Sequence, residues 1–219
     1  YTTKIINRGE PVEQVYFGQW VDPDLGNYSD DYVGCDTTRQ LGYCYNADDD
    51  DEGILGYGKN PPTVGVDFFK GPIGDSGVEL GMSYFVYYNN DFTNIGNPFR
   101  PAHFYNFLKG LWHDGSPMTF GGNGTGGSTP TKYMFSDDPV SNSGWTEKTA
   151  GNQKGDRRFI QSSGPFTLKT GAVNEVTVGC VWARSSAGGA TGSLNLLKLA
   201  DDKAQTLFNN KFKIFKINN

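Results

Sequence analysis

Val176-Thr-Val178-Gly-Cys180-Val-Trp182 sets an apolar side chain at every second position. That period is the pleat of a strand with one buried face, and it predicts Cys180 and Trp182 as core residues beside Val176 and Val178. Similar runs recur along the chain. Aromatic and β-branched residues, bounded by Gly, Pro, Asn and Asp, predict strands at 4–7, 13–21, 32–37, 41–46, 64–69, 80–88, 131–135, 158–162, 175–184 and 212–217. The 219 residues include 30 Gly, 11 Pro, 15 Phe and 12 Tyr, a composition suited to many turns around an aromatic core. The expected fold is all-β: a mostly antiparallel, jelly-roll-like β-sandwich in one domain over 1–219.

Two segments depart from period two. Residues 101–112 carry apolar side chains at i, i+3, i+4, i+7 and i+8, with Pro101 in the first turn and Asp114-Gly115 beyond the end. Residues 193–208 repeat that spacing, with Ser193 placed to cap the N-terminus. Both are expected to be amphipathic helices packed on a sheet.

Ten of the 24 acidic residues lie between Asp22 and Glu52, against the single base Arg39. Carboxylates crowded in this way repel one another unless a cation or open solvent offsets the charge. Asp22, Asp24, Asp30, Asp31 and Asp36, spaced by Gly and Asn, form a set of hard oxygen donors suited to Ca2+. The spacing is not that of an EF-hand, because Gly26, Asn27 and Val33 stand where that loop needs an oxygen ligand, a glycine and a glutamate. A structural calcium loop is the expectation. Asp48 to Glu52, five acids in a row, are expected to face solvent instead.

The net charge of −5 argues against a nucleic-acid surface. No apolar run reaches the 18 residues of a membrane span. Catalysis has little support: the chain lacks a Gly-x-Ser-x-Gly elbow, and His103 and His113 are its two histidines. Cys35 and Cys44 flank a hairpin-like segment and could be a disulfide or two buried thiols. Trp20, Trp112, Trp145 and Trp182 could stack on sugars if exposed, though the alternation assigns Trp182 to the core.

Asp24 to Asp36, Leu41-Gly-Tyr-Cys-Tyr-Asn46, Pro61 to Pro72, Leu111-Trp-His-Asp-Gly-Ser-Pro117, Asp156 to Phe166 and the stretch from Val176 to Asn210 resemble a region of large secreted proteins of Bacteroidota. In that group the region commonly precedes immunoglobulin-like or fibronectin-like modules and a C-terminal sorting domain of the type IX secretion system. The resemblance implies a segment of a longer exported protein, with the type IX machinery as its partner during export and a cell-surface or extracellular location. It transfers no catalytic residue. The expected function is a non-catalytic, calcium-stabilised module for adhesion, structural display or partner binding. The alternatives are a glycan-binding module or a domain of a secreted glycan or peptide hydrolase.

Overall fold

The computed structural model describes residues 1–213, and the outer part of the strand expected at 212–217 lies outside them. Ten strands and two helices are present among these residues. β1 (Thr2–Ile6), β10 (Val173–Ala183), β7 (Thr63–Lys70), β4 (Leu41–Asn46) and β3 (Asp31–Asp36) form a five-stranded sheet in that order, every neighbour antiparallel. β2 (Val12–Val21), β9 (Arg157–Leu168) and β8 (Tyr84–Asn89) form a second antiparallel sheet. β5 (Asp50–Asp51) and β6 (Gly58–Lys59) make a short ribbon beside them. The fold is an antiparallel β-sandwich with a helix on each outer face.

The core between the sheets is aromatic, as the composition requires. Val33, Cys35, Cys44, Val66, Phe68, Val176 and Val178 of the larger sheet meet Phe85, Tyr87 and Phe159 of the smaller one. Gly42 is what lets the sheets approach. A Cβ there would stand 2.8 Å from both Phe85 and Phe159 and 2.5 Å from Gln161 Oε1. The same close approach lets the Gly42 amide donate to buried Gln161.

α1 (Pro101–Leu108) covers the outer face of the smaller sheet, with Phe107 against Tyr88. It ends four residues before the sequence pattern does, because Gly110 turns the chain at φ +68. α2 (Gly189–Asn209) covers the outer face of the larger sheet, with Ala190, Leu194 and Leu197 on Leu41, Tyr43, Tyr45, Val181 and Ala183. It begins four residues before Ser193. Gly188 occupies the cap position, and Ser193 is instead buried within the helix, donating to Pro61 O at 2.6 Å and accepting from Ser185 N at 3.0 Å.

Three further expectations change. Residues 131–135 form no strand; Tyr133 makes an isolated bridge to Phe85 before Phe135, at φ +49, turns the chain away. Cys35 and Cys44 are free, buried thiols, and the register sets Cys35 opposite Gly42 and Cys44 opposite Val33. Cys180 and Trp182 are not core residues: Cys180 is exposed and Trp182 is 52% exposed. The alternation persists along β10, but its pairing with β1 spans only Val173 to Thr177, and beyond it the face that is buried at Val176 and Val178 opens to solvent at Cys180 and Trp182.

Candidate metal centre

The acidic residues of the first fifty positions separate into three groups. Asp22 follows the last residue of β2, and Asp24 sits two residues on at φ +39, a strained turn that aims it back. Antiparallel pairing of Val21 with Phe159 brings the start of β9 alongside, and with it Asp156. One carboxylate oxygen from each of Asp22, Asp24 and Asp156 lies within 4.8 Å of the others. That span equals two metal–oxygen bonds of about 2.4 Å, the length of a Ca2+ contact. Arg158 bridges the group from behind, at 3.2 Å from Asp22 and 2.8 Å from Asp156, while Asn90 donates to Asp156 at 2.8 Å. Three carboxylates against one guanidinium leave two negative charges, the complement of a divalent cation.

No family model, curated protein or solved structure matches the chain. The donor set therefore rests on its own chemistry. Burial pushes the Asp22 carboxyl above its ordinary value, against the pull of Arg158 and with the push of Asp24 and Asp156. Its Oδ1 is closed to solvent and has no hydrogen-bond partner. A hard cation held by oxygen donors would satisfy that atom and relieve the repulsion together.

Asp30 and Asp31 lie elsewhere, each 1% exposed. Asp30 accepts from Asn46 Nδ2 at 2.9 Å and Asn27 Nδ2 at 3.2 Å, and desolvation followed by the charge of Asp51 lifts it to about 6. Asp31 accepts from Leu25 N at 3.2 Å, and burial pushes it up to about 8. Asp51 joins this group and corrects the reading of 48–52 as solvent-facing. It is 1% exposed and accepts from Asn27 N at 3.0 Å and Tyr57 N at 2.9 Å, pinning the β5–β6 ribbon to the acidic loop. Gly26, at φ +67, is required at this contact, because a Cβ would stand 1.9 Å from Asp51 Oδ2. Lys154 lies against the outer rim, 3.1 Å from Asp48 and 3.9 Å from Asp30.

Asp36 belongs to neither group. It accepts from Thr38 N and Arg39 N in the β3–β4 turn and pairs with the Arg39 guanidinium at 2.7 Å. Arg39 in turn binds Asp202 of α2 at 2.8 Å, so Asp36 ties the hairpin to the helix. Of the five expected donors, Asp22 and Asp24 thus lie together, and the third carboxylate beside them is that of Asp156. The signal for Asp156 was absent from local spacing, since the residue arrives only through the β2–β9 pairing.

Three further polar arrangements lie outside the acidic loop. Glu147, fully buried, pairs with Arg157 at 2.9 Å and accepts from Val33 N at 2.9 Å, while burial pushes its carboxyl up against the pull of Arg157. Asp67 of β7 and Asp201 of α2 are 1% and 2% exposed, and burial pushes them up to about 8 and about 7. His103 and His113 stack at 4.1 Å between ring centroids, with Phe107 and Phe99 packed against them. No helix among the described residues is long and apolar enough to cross a membrane.

Proposed function

We propose that this chain is a non-catalytic, calcium-stabilised module of a large secreted or cell-surface protein, serving adhesion, structural display or partner binding. The observation that carries it is the convergence of Asp22, Asp24 and Asp156 within 4.8 Å. An ion there clamps the end of β2 to the start of β9, two segments that are remote in sequence. The ion is structural: it neutralises carboxylates that the fold has gathered and closes one end of the smaller sheet. Export through the type IX system is part of the same reading and rests on the sequence resemblance.

The hydrolase alternative needs two facing carboxylates in an open cleft. Asp67 and Asp201 both line a cavity of about 540 Å3, but both oxygens of Asp67 and Oδ1 of Asp201 are closed to solvent. That pair therefore lends the alternative no support.

Thermal unfolding in CaCl2 and in chelator tests the proposal. Extracellular modules bind Ca2+ at roughly 10⁻⁴–10⁻³ M. At about 10 mM Ca2+ the linkage gain is then ~1.5–3 kcal/mol, a rise in Tm of roughly 3–10 °C for a chain of this size. Equal Tm in both buffers refutes the proposal.

A further inference from the structure

The exposure of Trp182 opens a second surface. Trp182 closes one end of a concavity of about 450 Å3, lined also by Lys59, Asn60, Arg184, Ser185 and Ser186. Lys59 and Asn60 continue into a neighbouring concavity of about 560 Å3, whose far side is Asp48, Asp49, Asp50 and Gly188. The two concavities share Lys59 and Asn60 and so adjoin along β6, between the indole and the acidic turn. Each half has the volume of a small-ligand site.

The floor is held rigid. Arg184 donates from Nε to Asn60 O at 2.9 Å and from Nη2 to Tyr57 O at 2.8 Å and Lys59 O at 3.2 Å. Asn60 donates to Ser186 O at 3.3 Å and accepts from Gly189 N at 3.0 Å. These bonds fix β6 against the end of β10 and the start of α2, and so fix the groove's shape before any ligand arrives. What remains along it is of mixed kind. The Lys59 ammonium has no ion-pair partner among the described residues and is a pure donor; Asp49 Oδ1 already accepts from Ala190 N at 3.3 Å, which leaves its second oxygen and the Asp50 carboxylate as acceptors.

We propose that this groove binds a neutral oligosaccharide, one sugar ring stacked on Trp182 and its neighbours bonded along Lys59, Asn60 and the Asp49–Asp50 turn. Three features select that class. Hydroxyl groups both donate and accept, so a polyol satisfies a lining that alternates the two. An anionic polymer meets Asp48, Asp49 and Asp50, and a cationic one meets Lys59 and Arg184. The axial C–H face of a pyranose is an apolar plate matched to an indole, which is otherwise costly to leave half in water. The proposal is independent of the calcium centre, which lies at the β2–β9 end.

The test is an array of neutral plant, bacterial and host oligosaccharides, followed by titration of the bound sugar with Trp fluorescence and calorimetry as readouts. Trp182→Ala should weaken binding by roughly tenfold or more, Trp182→Phe should restore part of it, and Lys59→Ala should weaken it less. Trp20→Ala, at the other half-exposed tryptophan, should leave it unchanged, and all four variants should unfold at wild-type temperature or close to it. An array without neutral-glycan binding overturns the proposal, as does a bound glycan whose affinity is the same in Trp182→Ala.

Discussion

Asp67→Asn should make the protein more stable in alkali and leave it no better in acid. Asp67 lies on the helix-facing side of β7, 1% exposed, with neither carboxylate oxygen hydrogen-bonded and with Asp201 of α2 as its nearest like charge. Burial raises its pKa from 3.8 to about 8 in the folded protein. The folded chain therefore holds this proton where the unfolded chain releases it. Stability from this group is complete below the unfolded value and falls as pH rises toward the folded one. At 1.36 kcal/mol per pH unit, the ceiling on the loss between pH 5 and pH 8 is about 4 kcal/mol. Water penetration and relaxation around the ionised pair reduce this to an expected ~2 kcal/mol. An amide carries no charge and avoids the loss, though its own unmatched N–H costs about 1 kcal/mol at every pH. Urea unfolding of both proteins at pH 5, 6, 7 and 8 gives the difference curve. It should begin near zero or slightly negative at pH 5 and rise by ~2 kcal/mol in favour of Asp67→Asn. Asp30, Asp31 and Asp201 slope the two curves alike, so the difference isolates Asp67 and its coupling to Asp201. Parallel curves would refute the placement of an unpartnered carboxyl beneath α2.

Other consequences are independent of that one. Arg157→Met should destabilise by about 3–5 kcal/mol, because it strands the fully buried Glu147 carboxylate, and adding Glu147→Gln should recover part of the loss; denaturant midpoints measure both. Burial, and then the charge of His103, hold His113 below its usual value. The unfolded chain then binds that proton more readily, so stability falls as pH drops through about 6.5; His113→Phe should flatten this acid limb, and an NMR titration should place His113 below a free imidazole. Cys180 is exposed, whereas Cys35 and Cys44 are buried with their thiols pushed up by burial. One thiol per native chain should react rapidly with a disulfide reagent and two more only after unfolding; rapid reaction of all three would contradict the core packing.

Local sequence carried the strands well where both faces of the pattern were decided by neighbours in the same sheet. The hairpin of β3 and β4 and the long run of β2 follow from composition and its turn boundaries, and β10 and both helices from periodicity. Failures arose where a distant element decides burial. Trp182 and Cys180 obey the alternation that makes Val176 and Val178 core, yet nothing in β10 itself tells where its neighbouring strand β1 ends. Residues 131–135 have strand composition, but a strand also needs a partner, and Phe135 turns away after one bridge. The acidic loop shows the same limit more sharply. Crowding marked Asp22 and Asp24, and their carboxylates do converge. Asp36 is spent on Arg39 instead, Asp30 and Asp31 are buried with Asp51, and Asp156 enters through strand pairing. Spacing along a chain reports which groups can meet within a loop; it is silent on what a sheet brings beside them.

The proposed calcium site is tested most directly by calorimetric titration of CaCl2 into chelator-stripped protein, with Asp156→Asn and Asp36→Asn alongside the wild type. The proposal predicts one site in the wild type with Kd of roughly 10⁻⁴–10⁻³ M, its loss in Asp156→Asn, and its retention in Asp36→Asn. Wild-type protein that takes up no Ca2+, or an Asp156→Asn variant that binds as the wild type does, would contradict the assignment.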